Sequence, residues 1–223
     1  MSAARHTKSR AARARRSFSR DESGTTLVEF AIVMPIFLLI LFGLIDFGRM
    51  GFEYVMANKA VQLATRVAVT RPPACPGVVT INTRGTAVFT VPPTFGTNCR
   101  AGANICAAPV PVICNGNMAN PTVAEIWGGV SALMPAGATA ANLSFSYRYT
   151  PELGFLGGPY VPMVTVEISH PTPSSRLRFQ FVTPLAALAA LAGSPGSGLP
   201  GSLPFPALSV TLPAEDLALG EAG

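Results

Sequence analysis

The chain has 223 residues, enough for one ordinary domain and a membrane anchor, and carries 16 Lys and Arg against 11 Asp and Glu, a net charge of +5. Seven of the basic residues and no acidic residue fall within residues 1–20, whereas nine basic and nine acidic residues balance from residue 25 onward. Because the excess charge is confined to the N-terminal segment, the composition excludes a chain-wide basic surface. No nucleic-acid partner is expected.

Residues 1–24 form a basic leader without apolar periodicity, and the 21 residues that follow, 25–45, contain a single charged side chain, Glu29. As a helix, this second stretch would span roughly 31 Å, the thickness of a bilayer's hydrocarbon core. Positive charges that flank a first membrane helix stay in the cytoplasm. The sequence therefore predicts a single-pass membrane protein with a cytoplasmic N-terminus and an extracytoplasmic C-terminal domain, and the lipid bilayer is its first partner.

Beyond residue 45 the helix is predicted to continue into water. Apolar residues recur at three- and four-residue steps over 47–68, an amphipathic pattern, and Arg49 and Glu53 are spaced as one-turn partners. The helix must end by Thr70, since an Arg-Pro-Pro sequence follows. Residues 25–70 are thus predicted to form one transmembrane and amphipathic helix.

Residues 71–223 are rich in proline and glycine and contain short alternating stretches that are typical of strands. The predicted elements are a strand pair at 78–81 and 86–91, a loop held by disulfide chemistry at 92–120, a short helix at 123–133 carrying Trp127, strands at 143–149, 161–169 and 177–182, an apolar stretch at 185–192 that is too short to span a bilayer, a flexible linker at 193–201, and a final strand at 208–212. The predicted fold class is α+β, a long N-terminal helix followed by a small, mainly antiparallel β domain.

All four cysteines, Cys75, Cys99, Cys106 and Cys114, lie on the side predicted to be extracytoplasmic and oxidising, so disulfides are expected. Four cysteines allow three pairings, and the sequence does not choose among them. The pairing that we favour joins Cys75 with Cys99 and Cys106 with Cys114.

The sequence offers little for catalysis. The two histidines are His6, in the leader, and His170, which precedes a proline at the end of a predicted strand. The cysteines are separated by 23, 6 and 7 residues, without the close pair of a zinc site. No phosphate-binding glycine loop or nucleophile elbow is present. No catalytic residue, metal or cofactor is predicted, and the chain is not expected to be an enzyme.

A recognisable pattern does occur at the start of the apolar stretch. Gly24 is followed after four residues by Glu29 and Phe30, then by Pro35, and the sequence FGLIDFGR closes the stretch at 42–49. This order resembles the TadE/TadF group, the minor pseudopilins of the tight-adherence (Flp, type IVb-like) pilus system. The resemblance covers roughly residues 23–70, and Phe30 stands where the family usually has tyrosine.

The resemblance implies that a prepilin peptidase cuts after Gly24 and makes Thr25 the new N-terminus. The new α-amino group would be mostly cationic at neutral pH. Glu29 of a neighbouring subunit would then neutralise this amine and set the register between subunits. The alternative is a pair within one chain, because Thr25 and Glu29 are one helical turn apart.

Three further residues of the helix have predicted roles. Pro35 removes a backbone hydrogen bond to the carbonyl of Ala31 and should kink the helix, which membrane helices tolerate. Asp46 and Arg49 flank the membrane exit. They form either an interfacial ion pair or a contact to another subunit or the assembly platform.

The sequence thus favours a non-enzymatic minor pseudopilin of the bacterial inner (plasma) membrane that acts in pilus assembly and adhesion. Its implied partners are the prepilin peptidase, other minor pilins and the Tad assembly platform. The alternative is an uncleaved, single-pass protein whose extracytoplasmic domain binds or senses a ligand. The state of the mature N-terminus separates the two.

Overall fold

The apolar stretch forms the start of one helix, α1 (Ser23–Thr70), of 48 residues. The computed structural model describes residues 23–86, 91–169, 177–184, 202–215 and 217. The leader up to residue 22, His170, the apolar stretch 185–192, the linker 193–201 and most of the predicted strand 86–91 lie outside the described residues. The helix ends at Thr70, as the Arg-Pro-Pro sequence predicts.

The chain divides by its internal contacts into two units. The first unit comprises Met1–Gly48 and Phe181–Gly201, and the second comprises Arg49–Gln180 and Ser202–Gly223. The first 26 described residues of α1 therefore belong to the first unit, and the rest of the helix belongs to the second.

The second unit contains a four-stranded antiparallel sheet. Its strands are β1 (Val112–Asn115), β2 (Leu143–Arg148), β3 (Met163–Ile168) and β6 (Ser209–Pro213), in the order β1-β2-β3-β6. Two shorter strands, β4 (Arg178–Gln180) and β5 (Ser202–Pro204), form a separate antiparallel pair. The α+β prediction of a long helix and a small antiparallel β domain is confirmed.

Alternation along β2 and β3 determines which face of the sheet is buried. Phe145 pairs with Val166 and Tyr147 pairs with Val164, and all four side chains are at most 1% exposed. Side chains two residues apart share a face of a strand. The predicted strands at 143–149, 161–169 and 208–212 are therefore confirmed, the last as β6.

The second helix, α2 (Pro121–Val130), continues as a 3₁₀ turn, Ser131–Leu133, as predicted for 123–133. The Asn120 side chain caps its N-terminus by accepting a hydrogen bond from the Val123 amide at 3.3 Å, and Pro121 occupies the first turn. Small residues of α1, apolar residues of α2 and the inner face of the sheet form one buried cluster. Its members include Ala57, Ala60, Val61, Ala64, Ala68, Val123, Ile126, Leu143, Phe145 and Val166.

Two predictions for the region after α1 are wrong. Residues 78–81 form no strand, and their contribution to pairing is an isolated bridge between Ile81 and Pro159. The predicted loop at 92–120 contains β1, an edge strand that the sequence did not reveal. Proline and cysteine obscure its alternation, and Ile113 at its centre is 62% exposed.

The favoured disulfide pairing is also wrong. Cys75 is bonded to Cys114, 39 positions later in the sequence, and Cys99 is bonded to Cys106, seven positions later. Cys75 follows α1 directly, and Cys114 lies on β1. The pairing depends on where the fold places this strand, which the chain order does not encode.

Candidate functional site

The predicted processing segment lies in the first two turns of α1. Gly24, Thr25, Glu29 and Phe30 are all helical. Glu29 is exposed, and Phe30 is 60% exposed. Thr25 and Glu29 share one face of the helix because they are four positions apart. The segment is therefore presented on the surface of the helix.

The apolar part of α1 is exposed rather than packed. Among the described residues one helix, Gly24–Thr70, is long and apolar enough to cross a membrane, and none of its most apolar window, with mean hydropathy 2.7, is buried. Large side chains such as Leu27, Val33 and Leu44 are between 63% and 71% exposed. Soluble proteins rarely expose so large an apolar patch. This surface is consistent with single-pass anchoring.

Pro35 lies inside α1, and the helix continues through it. Pro35 cannot donate to the carbonyl one turn before it. The predicted bend at this position stays a prediction.

Asp46 has a role that the sequence did not predict. Its side chain is 0% exposed. Its carboxylate accepts hydrogen bonds from the backbone amides of Val182, at 3.2 Å, and Thr183, at 3.3 Å, and from the Thr183 hydroxyl. All three residues belong to the first unit. Hydrogen bonds of this kind offset the cost of burying a carboxylate.

Arg49 belongs to the second unit and forms the one-turn pair predicted for it. Its Nη2 lies 3.2 Å from Oε1 of Glu53. The guanidinium also lies over the ring of Phe179, 5.4 Å from the centroid, a cation–π geometry. The predicted ion pair of Asp46 with Arg49, and their contact to another subunit, stay predictions.

Residues 71–75, which follow α1 directly, each bind the β domain. Arg71 forms a bidentate ion pair with Glu125 of α2, with the closest nitrogen–oxygen distances at 3.0 Å. The hydrogen bond from Arg71 holds the pKa of the Glu125 carboxyl below its ordinary value, and the same bond raises the pKa of Arg71. The pair is exposed and contributes little to stability by itself.

The next two carbonyls are bound by the N-terminus of α2. The hydroxyl of Thr122 donates to the carbonyl of Pro72 at 2.8 Å, and the Asn120 amide group donates to the carbonyl of Pro73 at 3.1 Å. Asn120 therefore serves both as the cap of α2 and as an anchor for the chain that leaves α1.

Ala74 and Cys75 also bind the β domain. The Ala74 amide donates to the hydroxyl oxygen of Tyr147 at 2.9 Å, and Cys75 is bonded to Cys114. Burial of Tyr147, which is 1% exposed, raises its pKa to about 12. Five consecutive residues, 71–75, are thus each tied to the β domain by an ion pair, a hydrogen bond or a disulfide.

The second disulfide organises a separate small cluster. Cys99, Ile105, Cys106 and Leu156 are buried together. Backbone hydrogen bonds link this loop to the segment after β2, including Cys99 N to the Gly154 carbonyl at 2.9 Å. The prediction that disulfide chemistry holds this loop agrees with this arrangement.

One groove of the second unit has tyrosines in its lining. It has a volume of about 340 Å³ and is lined mainly by valine and proline together with Tyr147 and Tyr160. Tyr160 stacks on Tyr149 with centroids 6.4 Å apart. Burial, and next the neighbouring Tyr149, raise the pKa of Tyr160 to about 12. At neutral pH these phenols are protonated and serve as hydrogen-bonding and packing groups.

A metal centre is not found in the part of the chain that the structure describes. No three His, Cys, Asp or Glu side chains cluster there in a way that could hold an ion. The cysteines are committed to disulfides, and His6 and His170 lie outside the described residues.

Sequence reasoning missed the contacts that link distant parts of the chain. The Asp46 carboxylate and its partner amides are 136 and 137 positions apart, and Tyr147 is 73 positions from Ala74. A charged residue directly after an apolar run was the signal for Asp46. Its partners could not be identified from the sequence, because nearly every residue has a backbone amide.

Comparison with known families agrees with the resemblance at the N-terminus. The TadE-like protein family matches residues 24–66, which begin at Gly24 and end within α1. The match is consistent with a TadE-like protein of the Tad pilus system. No curated protein and no solved structure matches the chain.

Proposed function

We propose that this chain is a minor pseudopilin of the Tad (Flp) pilus system, anchored in the bacterial inner membrane and acting in pilus assembly and adhesion. It is a substrate of the prepilin peptidase rather than an enzyme. The match of residues 24–66 to the TadE-like family supports the link to this machinery. The exposed apolar surface of α1 supports the anchor.

The observation that carries the proposal is the family match, which begins at Gly24. A Cβ added at Gly24 would meet nothing within 4 Å, whereas one added at Gly85 would clash with the backbone carbonyl of Asn104. The fold therefore requires glycine at position 85 but not at position 24. Gly43, Gly48 and Gly51 are equally open, so the space around Gly24 does not single it out, whereas its place at the start of the family match does. Close approach by a peptidase to the scissile bond would give a reason for glycine there.

The cut gives the next charged residue a partner. Removal of residues 1–24 would leave the α-amino group of Thr25 at the start of the apolar helix, where a cation without a partner is costly. Glu29 is the one acidic residue between there and Asp46. Its carboxylate would neutralise the amine of an adjacent subunit and align the two helices along the membrane normal.

The remaining parts of the chain fit this role. The seven basic residues of the leader would keep the N-terminus cytoplasmic and place both disulfides on the oxidising side. The β domain would then bind other minor pilins or the assembly platform.

Coexpression with and without a prepilin peptidase tests the proposal. The intact mass of the chain should correspond to residues 25–223 only when the peptidase is present. Gly24→Val should block this change and leave membrane insertion intact. The matched control is Gly43→Val, since position 43 lies in the same helix and an added Cβ there also meets nothing within 4 Å.

Two results would contradict the proposal. One is retention of Met1 or Ser2 in the presence of an active peptidase, which favours an uncleaved, anchored binding domain. The other is equal loss of processing in the Gly24 and Gly43 variants, which would assign the effect to the helix rather than to the cleavage site.

A further inference from the structure

We propose that residues 181–183 rest on the headgroup region of the same bilayer and give the chain a second contact with lipid. Asp46 of α1 holds this segment by hydrogen bonds to Val182 and Thr183. This inference rests on the membrane anchoring proposed above for α1. It assigns Asp46 an intrachain role as a positioning residue for that contact.

The position of Asp46 in the sequence fixes the depth of the segment. Residues 30–45 carry no charge, and Asp46 is the first charged residue after them. A helix that buries its apolar run in hydrocarbon therefore places residue 46 at the boundary with the headgroups. Because the carboxylate accepts from the amides of Val182 and Thr183, these two residues lie at the same level.

The tie leaves an apolar surface exposed at this level. The Val182 side chain is 72% exposed although its backbone amide is bound to Asp46. Phe181 packs edge-to-face on Phe47, with centroids 6.3 Å apart, and Phe47 is 53% exposed. Phe47 lies one turn after Leu44, which is 70% exposed, so Phe47 belongs to the same exposed apolar run of the helix.

The absence of charged residues near this segment favours contact with lipid over contact with water. No charged side chain occurs in residues 179–214, the longest uncharged stretch of the chain. Residues 185–192, which follow the segment in sequence, consist of leucine and alanine alone. Apolar side chains next to a lipid-facing helix lose less by contacting the interface than by facing water.

Asp46 makes this arrangement compatible with the interface. Two backbone amides and a threonine hydroxyl satisfy the carboxylate, and their own hydrogen bonds are satisfied in the same contact. Polar backbone that enters a low-dielectric region needs such partners. The aspartate thus supplies the acceptors that allow residues 182–183 to lie against lipid.

Tryptophan reporters in the full-length chain, reconstituted in phospholipid vesicles with brominated acyl chains, test the proposal. The chain has one tryptophan, Trp127, so Trp127→Phe provides a silent background. Three variants each add one reporter: Val182→Trp at the proposed contact, Phe37→Trp in the apolar run, and Val110→Trp on the β domain. The last two positions are 55% and 83% exposed and serve as the lipid and water references.

Bromine near the headgroup end of the acyl chains should quench the reporter at position 182 strongly and leave that at position 110 unquenched. Bromine deeper in the chains should quench the reporter at position 37. Adding Asp46→Ala should abolish quenching at position 182 and leave position 37 unchanged.

If the reporter at position 182 is quenched no more than that at position 110 while position 37 is quenched, the second lipid contact is wrong and the anchor stands. A reporter at position 182 that is shielded from water but not quenched by brominated lipid would indicate a protein partner and would also overturn the proposal. Absence of quenching at position 37 would overturn the anchoring itself, and this inference with it.

Discussion

The two parts of α1 differ in how they use apolar side chains. Between residues 27 and 45 large side chains face outward, among them Leu27, Ile32 and Leu44, at 61–71% exposed. From residue 57 onward small side chains face inward, and Ala57 and Ala64 are 0% exposed. The larger residues, which gain most from burial, are the ones that the chain leaves uncovered.

This difference is consistent with one helix that serves two environments. The later part packs closely against its own domain, where small residues allow close approach of the backbone. Many large side chains of the earlier part stay exposed, and we expect surroundings from outside the chain to cover them. A bilayer and neighbouring helices would provide them, as the proposed pseudopilin role requires.

Removal of the disulfide that follows the packed part of α1 should reduce stability the most. Serine at both Cys75 and Cys114 should lower the free energy of unfolding by about 4 kcal/mol, because the lost link closes the longer loop, with a sequence separation of 39. The same change at Cys99 and Cys106, separated by seven, should cost about 2 kcal/mol. Urea unfolding of the full chain in detergent, followed by Trp127 fluorescence, measures both.

Equal losses from the two disulfide variants would contradict the view that Cys75–Cys114 is the main covalent restraint between α1 and the sheet. A larger loss from the short loop would contradict it more strongly.

The next effect compares the two parts of α1 directly. Ala64→Leu should destabilise the chain by about 1–3 kcal/mol, since the added atoms have no space in the packed core. Ala31→Leu, at an exposed position of the apolar run, should change stability by less than about 0.5 kcal/mol. The same unfolding assay applies. A similar loss at both positions would show that the earlier part is also packed within the chain.

A smaller effect concerns pH. Burial raises the pKa of Tyr147 to about 12, above the ordinary value of 10.0, so the folded chain holds this proton more tightly than the unfolded chain. The resulting stability is complete below about pH 10 and is lost as the pH rises through about 12. Phenolate absorbance during an alkaline titration should show late ionisation that Tyr147→Phe reduces. Ionisation of all tyrosines near pH 10 in the folded chain would contradict the burial argument.

The smallest effect on folding is expected at Glu29, which is exposed. Glu29→Gln should leave the unfolding free energy and membrane insertion unchanged but impair pilus assembly, because the amide cannot neutralise the amine of Thr25. Glu152→Gln, at an exposed position of the β domain, is the matched control and should assemble normally. Normal assembly of the Glu29 variant would contradict the register hypothesis.

Sequence patterns correctly predicted the elements that are determined by residues close together in the chain. The alternation over 161–169 identified β3, and the Arg-Pro-Pro sequence identified the end of α1. β1 was missed because it is a four-residue edge strand whose central Ile113 faces outward. Residues 78–81 have strand-forming composition, yet they form one isolated bridge because tertiary contacts override this preference.

The candidate site divides in the same way. The Gly24-to-Glu29 spacing and the apolar run are each contiguous in sequence, so both can be read from it directly, and the role of Gly24 and Glu29 stays a prediction. The tie between Asp46 and residues 182–183 and the Cys75–Cys114 pairing join segments that only the fold brings together. No spacing rule within the sequence contains that information.

The N-terminal residue of the protein, isolated from the membrane fraction of cells that assemble these pili, decides whether the chain is processed at Gly24. We predict a chain that begins at Thr25 and remains in the membrane, with its exposed apolar helix intact and its basic leader removed. A chain recovered from that fraction with Met1 or Ser2 at its N-terminus, while pili are being assembled, would contradict the account.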